Sequence, residues 1–252
     1  MEQLTDQAVA ALLVSLRIAP ALAFAPPFTL LRVPALVRVM LAITLAAWLV
    51  AGHPQQTWQS DFWSRGLFVT ATAELMMGIA LALTLQIAFA ALLTAGRAID
   101  IQAGFGLAML IDPATRSQMP LVGTFFAYAA GAIFFATGGP ADLLAIWAES
   151  VARVPLGAAV FGGSSVAAII GYMSAVFVMA FGAAGLVMLV LFVIDIAIAF
   201  MSRTLPQMNV LLLGFQVKTL AVLALLPLGI ALSAALFLRM LRYALQTAAE
   251  LV

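Results

Sequence analysis

The sequence predicts an all-α membrane protein with about six hydrophobic segments, built as helical hairpins in which some helices are broken. Composition is the first reason. Of 252 residues, 65% are hydrophobic and only 8% are charged, against about 25% charged in an ordinary soluble domain. So few charges cannot cover the surface of a soluble fold this size, and the mean hydropathy of +1.18 agrees. The second reason is segmentation: apolar runs fall at residues 8–24, 33–51, 66–95, 121–137, 164–201 and 208–238, and a helical span needs about 20 residues. The third is the spacing of charge, since residues 154–194 and 219–238 carry none.

The segments differ in kind. The first is short and is interrupted by Arg17 and Pro20. Its start, Met1-Glu2-Gln3-Leu4-Thr5-Asp6, is acidic rather than basic, so the first helix is expected to stay uncleaved. The third, fifth and sixth are long. Gly182-Ala183-Ala184-Gly185 near the middle of the fifth predicts two helices or a bent hairpin. Pro227-Leu228-Gly229 predicts a kink or break in the sixth. Under six spans, Arg32, Arg38, Arg97, Arg116 and Arg203 share one side, but Arg239 and Arg242 fall on the other, so the positive-inside bias is weak. Small residues such as Ala80, Ala82, Gly182 and Gly185 permit close helix approach, within the chain or between subunits.

Several function classes are excluded early. There is no cysteine and a single histidine, His53, in the loop-like Gly52-His53-Pro54-Gln55-Gln56. Disulfides, thiolate metal sites and multi-histidine metal sites are therefore ruled out, and no cofactor is expected. A net charge of +1 offers no basic field for nucleic acid. No base–nucleophile pair or hydrolase motif is present, so no catalytic residues are assigned. Gly104-Phe105-Gly106 is not a phosphate loop, because it lacks the Lys-Ser/Thr of a Walker motif. Ser164-Ser165, after Gly162-Gly163, reads as a loop or helix cap.

Three polar constellations stand out, since a charge inside a span costs roughly 2.5–3.5 kcal/mol on insertion scales. The most informative is Arg203-Thr204-Leu205-Pro206-Gln207-Met208-Asn209, with Lys218 nine residues on. Arg203 and Lys218 are expected to be partly buried and structural, with Pro206 ending a helix and Gln207 and Asn209 satisfying freed backbone groups. Next comes Gly96-Arg97-Ala98-Ile99-Asp100-Ile101-Gln102-Ala103-Gly104-Phe105-Gly106, running on to Asp112-Pro113. Arg97 and Asp100 stand three apart and could neutralise each other on one helix face. Residues 104–120 form a glycine- and proline-bounded loop that is unusually apolar, with Phe105, Leu107, Met109, Leu110 and Ile111. It reads either as a re-entrant structural loop or as a channel plug. Last are the lone acids Glu74 and Asp195, which could pair with Arg97, Arg203 or Lys218, or serve a proton pathway.

These residues resemble the FliR family of type III export-gate proteins, with its injectisome homologues SctT, YscT and SpaR. The resemblance rests on Arg17-Ile18-Ala19-Pro20 with Ala25-Pro26 and Val33-Pro34-Ala35, and on Glu74 with Gly78. It continues through Asp100-Ile101-Gln102-Ala103-Gly104-Phe105 with Ala108 and Asp112-Pro113, and through Arg203 to Val210 with Gly214-Phe215 and Lys218. It covers nearly the whole chain, and Gly214 leans it toward the flagellar branch. Where the family often has an Asn-Gly-His-His-like stretch, this chain has Thr137-Gly138-Gly139-Pro140-Ala141-Asp142. The resemblance implies a fusion of a FliP-like part, about residues 1–153, and a FliQ-like part, about 154–252. It also implies a non-enzymatic subunit of an inner-membrane, basal-body export channel, assembled with FliP, FliQ and FlhB homologues and passing unfolded substrates. Residues 104–120 would be the plug. An ion or small-molecule transporter using Glu74 or Asp195 is the alternative.

Overall fold

The computed structural model describes residues 2–31, 33–54, 57, 66–105, 120–158, 163–204 and 210–251. Those residues are helical apart from short turns. The elements are α1 (Glu2–Phe24), a 3₁₀ turn (Phe28–Leu31), α2 (Ala35–Gly52), α3 (Leu67–Ala103), α4 (Leu121–Ala136), α5 (Gly139–Arg153), α6 (Gly163–Thr204) and α7 (Val210–Glu250). Five of these are long and apolar enough to cross a membrane, or six spans if α4 and α5 are counted as one broken span, bent by 70°. The bend lies where the sequence is Thr137-Gly138-Gly139-Pro140. Gly138 takes the left-handed φ of +82°, and Pro140 occupies the first turn of α5, where its missing N–H costs nothing. α5 lies between the fourth and fifth apolar runs and is an additional helix beyond the six.

Two expected breaks are absent. α6 runs unbroken through Gly182 and Gly185 for 42 residues, and α7 runs unbroken through Pro227 for 41. At 1.5 Å per residue each is about 60 Å long, twice the roughly 30 Å hydrocarbon thickness of a bilayer. Arg17 and Pro20 likewise lie inside an uninterrupted α1. Arg38 and Arg97 sit within α2 and α3 rather than in connections, which is why counting them as loop charges gives a poor orientation signal. α6 begins at Gly163. His53, read as a loop residue, is the half-buried C-cap of α2, its N–H reaching the Leu49 carbonyl at 3.0 Å.

The chain folds as two compact units. The first gathers residues 1–88, 134–173 and 241–252. In it α1 packs on α2 and on the first half of α3, and Phe28 sets its ring edge-on to Phe134 and Phe135 at 6.1 Å. Tyr172, buried on α6, donates its hydroxyl to the Thr84 carbonyl at 2.5 Å and stacks edge-on with Tyr243.

The second unit gathers residues 89–133 and 174–240, and its described residues form two antiparallel helix pairs. In the α6–α7 pair, Ser233 bonds the Ala183 carbonyl, Gly229 faces Val187, and Gly214 faces Ile198. In the α3–α4 pair, Gly96 and Gly123 let the two backbones touch. A Cβ on Gly123 would lie 2.7 Å from the Leu93 carbonyl, and one on Gly96 would run into the backbone of Gly123. Phe126 and Phe237 join the two pairs at 5.5 Å. By contrast, a Cβ on Gly171, Gly182 or Gly185 meets nothing within 4 Å among the described residues.

This difference between glycines is measurable. Gly96→Val should destabilise the purified protein in detergent by at least about 1–3 kcal/mol, the usual range for overpacking. Gly182→Ala should leave stability unchanged or raise it by up to about 1 kcal/mol through helix propensity. Thermal unfolding followed by circular dichroism reads both, and equal effects would contradict the packing described here.

Candidate functional site

The best-built polar site lies within the first unit, around Arg17. Its side chain is fully buried, as is that of Glu74, and the two form a bidentate pair. Arg17 Nε donates to Glu74 Oε2 at 2.7 Å, and one terminal nitrogen donates to Oε1 at 2.9 Å. The same nitrogen reaches the Val154 carbonyl at 3.3 Å. The other donates to the Ser150 carbonyl at 2.7 Å and to Ser150 Oγ at 3.1 Å. All five guanidinium N–H groups are thus used. Glu74 Oε1 also accepts the Gly157 amide at 2.9 Å, and Ser150 Oγ donates to the Trp147 carbonyl at 2.8 Å.

Local structure places each member. Ser150 and Val154 lie at the C-terminal end of α5, where the Ser150 carbonyl also accepts the Val154 amide at 3.0 Å and the helix dipole is negative, so a guanidinium is favoured there. Gly157 has φ of +74°, which turns its amide toward Glu74, and a Cβ there would press on the Thr70 side chain at 3.0 Å. Gly78, one turn after Glu74, brings α3 against α1. A Cβ on it would lie 2.6 Å from both the Leu16 and Arg17 carbonyls and 2.9 Å from the Pro20 ring. Because Pro20 lacks an N–H, the Leu16 carbonyl is left without its usual helical donor.

The second unit holds two further polar groups. Asp100 is buried, and its carboxylate accepts the Val122 amide at 3.1 and 3.3 Å, capping the start of α4. The expected Arg97–Asp100 pair is not formed, and Arg97 is exposed. An N-terminal helix amide satisfies a buried carboxylate without burying a second charge. Lys218 pairs with Asp195 and donates to the Gln102 carbonyl at 3.1 Å, and Gln102 Nε2 donates to the Met188 carbonyl at 3.1 Å. This pair is only partly buried, at 18% and 39% exposure. Gly104 ends α3 with φ of +87°, and Phe105 stands edge-on to Phe215 at 6.3 Å.

The remaining expected residues fall as follows. Gly106, Leu107, Met109, Leu110 and Ile111 lie outside the described residues, as do Pro206, Gln207 and Asn209. Arg203 is exposed in the last turn of α6 rather than partly buried. A cation in that turn complements the helix dipole and needs no buried partner. Glu74 takes Arg17, not Arg97, Arg203 or Lys218 as expected, whereas Asp195 does take Lys218. Sequence reasoning missed Ser150 and Gly157. Val154-Pro155-Leu156-Gly157 carries a turn signal, but nothing in it points to a carboxylate 83 residues away.

Residues 8–244 match the family of bacterial export proteins, family 1. The chain belongs to that family. It is 30% identical to the flagellar biosynthetic protein FliR of Bacillus subtilis (strain 168), over 86% of this chain and 85% of that protein. It is 28% identical to the Escherichia coli (strain K12) protein of the same name, over 66% of this chain and 61% of that one. With the Aquifex aeolicus (strain VF5) protein of that name the identity is 28%, over 65% and 63%. The matched stretches thus span about three fifths of the Escherichia and Aquifex proteins. Family 1 proteins are non-enzymatic transport components, and this chain is a multi-pass inner-membrane member of the flagellar export apparatus.

The FliR motifs now have physical reasons. Arg17 and Pro20 of the N-terminal motif meet Glu74 and Gly78 of the second. Asp100 and Gly104 of the central motif cap one helix and end another.

Removing one partner of a fully buried ion pair strands the other charge and costs about 3–5 kcal/mol. Arg17→Ala and Glu74→Ala should each destabilise the chain by that amount, and the double variant by much less than the sum. Lys218→Ala should cost about 1 kcal/mol, as suits a partly solvated pair. Chemical unfolding in detergent measures all four variants. An additive Arg17/Glu74 cycle would refute the coupling.

Proposed function

We propose that this chain is a subunit of the type III protein-export channel, assembled with FliP, FliQ and FlhB homologues, through which unfolded flagellar proteins leave the cell. The observation that carries this reading is the length and facing of α6 and α7. Each is about twice a bilayer thick, yet exposed apolar side chains run from Val166 to Phe200 on α6 and from Leu212 to Leu232 on α7. Lipid can cover only part of that length, so the rest calls for protein. The open glycines of α6, Gly171, Gly182 and Gly185, would suit close helix approach by a neighbouring subunit. The antiparallel α6–α7 pair supports reading residues 154–252 as a FliQ-like hairpin, and residues 1–153 are proposed as the FliP-like part.

Within the assembly, residues 104–120 are proposed as the channel plug. Apolar side chains close a pore by dewetting it, and they leave no charge to trap a passing chain. Gly104, with its left-handed backbone, ends α3 where the plug would begin. The competing reading, an ion or solute transporter using Glu74 or Asp195, has less support. Glu74 is fully buried and its carboxylate already accepts three hydrogen bonds, and Asp195 is paired with Lys218.

Two experiments test this. Coexpression with FliP and FliQ homologues should yield one co-purifying complex, and a stable monomer that ignores both would count against the assembly. In that complex, deletion of residues 107–111 should raise ion conductance across a bilayer while assembly survives. An intact deletion complex that conducts no more than the wild type would leave the loop as a connector.

A further inference from the structure

At the corner between α1 and α2, a cavity of about 260 Å³ is lined by Ala19, Ala23, Phe24, Ala35, Arg38 and Val39. A water occupies about 30 Å³ of liquid, so there is room for a group much larger than one water. The lining is apolar except for Arg38, which is the cavity's only charged residue among those described. Among the described residues its guanidinium makes one hydrogen bond, from a terminal nitrogen to the Ala23 carbonyl at 2.8 Å. Its Nε is buried and has no partner among the described residues. Among the described residues no acid compensates it: Arg38 is in none of their ion pairs, and residues 7–60 contain no Asp or Glu. Ala35 begins α2, whose N-cap, Pro34, supplies no side-chain acceptor, so the positive end of the helix faces the same place.

We propose that this corner is a headgroup site for an anionic phospholipid, with Arg38 on the phosphate and an acyl chain along α2. α2 fits such a neighbour. Its 18 residues span about 27 Å, close to one hydrocarbon thickness. Leu36, Val37, Val39, Met40, Leu41 and Ile43 are exposed along its first half, and Trp48 is exposed toward its far end, as suits a membrane interface. Paired cation and apolar cavity select a ligand that is anionic at one end and apolar at the other. A soluble phosphate or a protein carboxylate would use only the cation. Basic pockets beside membrane helices hold anionic headgroups in this way. The site is independent of the export reading, since it requires only that α2 lie in lipid.

The test is native mass spectrometry of the full-length purified chain, titrated with phosphatidylglycerol or phosphatidylcholine. Phosphatidylglycerol should be retained about fivefold more strongly, the effect of one cation near a lipid surface. Arg38→Gln should abolish the preference, Arg38→Lys should keep most of it, and Arg97→Gln, an exposed control, should not alter it. Ala35→Leu keeps the charge but fills the cavity, and should lower retention of both lipids at this site. Thermal unfolding in phosphatidylcholine confirms that each variant is folded. Equal retention of the two lipids by the wild type, or a preference that survives Arg38→Gln, overturns the proposal. Competition by glycerol phosphate at the same concentration overturns it in favour of a soluble anion. Loss of a co-purifying protein in Arg38→Gln, with lipid preference unchanged, overturns it in favour of a carboxylate on a partner.

Discussion

The buried pair of Arg17 and Glu74 is the constraint on which the first unit depends. A guanidinium and a carboxylate removed from water each lose several kcal/mol of solvation, and attraction alone seldom restores it. Here the deficit is met by saturation: five donors of Arg17 and both oxygens of Glu74 are engaged. The partners come from α1, α3, the end of α5 and the Gly157 turn. Moving any of these segments leaves a charged group unsatisfied, so one interaction fixes the placement of four. The nearby glycines follow from the same requirement. Gly78 lets α1 approach closely enough for the pair to form, and Gly157 aims an amide at the carboxylate.

The second unit solves a similar problem with less buried charge. The Asp100 carboxylate is hydrogen-bonded by the start of α4, and Lys218 and Asp195 keep contact with the exterior. These contacts tie chain ends and helix pairs together without a closed ionic core. Polar groups in both units are therefore used mainly to hold helices, and their chemistry is spent there. This is consistent with the export role proposed above, in which a path for unfolded chains gains nothing from a strong fixed charge that would retain them.

The apolar surface completes the picture. α2 is one bilayer long and exposes an aliphatic face, whereas α6 and α7 are twice that length and expose apolar residues along most of it. A helix matched to the membrane is suited to lipid, and a helix that exceeds it requires other helices. The same chain thus presents two kinds of hydrophobic surface, distinguished by length rather than by composition.

Composition and apolar segmentation by themselves determined the membrane class, the all-helical fold and the approximate position of every long helix, because burial of backbone in an apolar phase leaves few alternatives. Local sequence also offered Lys218 as a partner for Asp195, whereas the α4–α5 bend at Gly138 and Pro140 came only from the structure. It misjudged Gly182 and Gly185, and Pro227 as a break, since helix breakers lose to the hydrogen-bonding demand of a long apolar helix and to packing along it. Only the tertiary structure decided that Glu74 belongs to Arg17 and that Asp100 caps a helix rather than meeting Arg97. Those choices turn on which helix lies within hydrogen-bond reach, across 57 and 22 residues of chain respectively, and no spacing rule reaches that far.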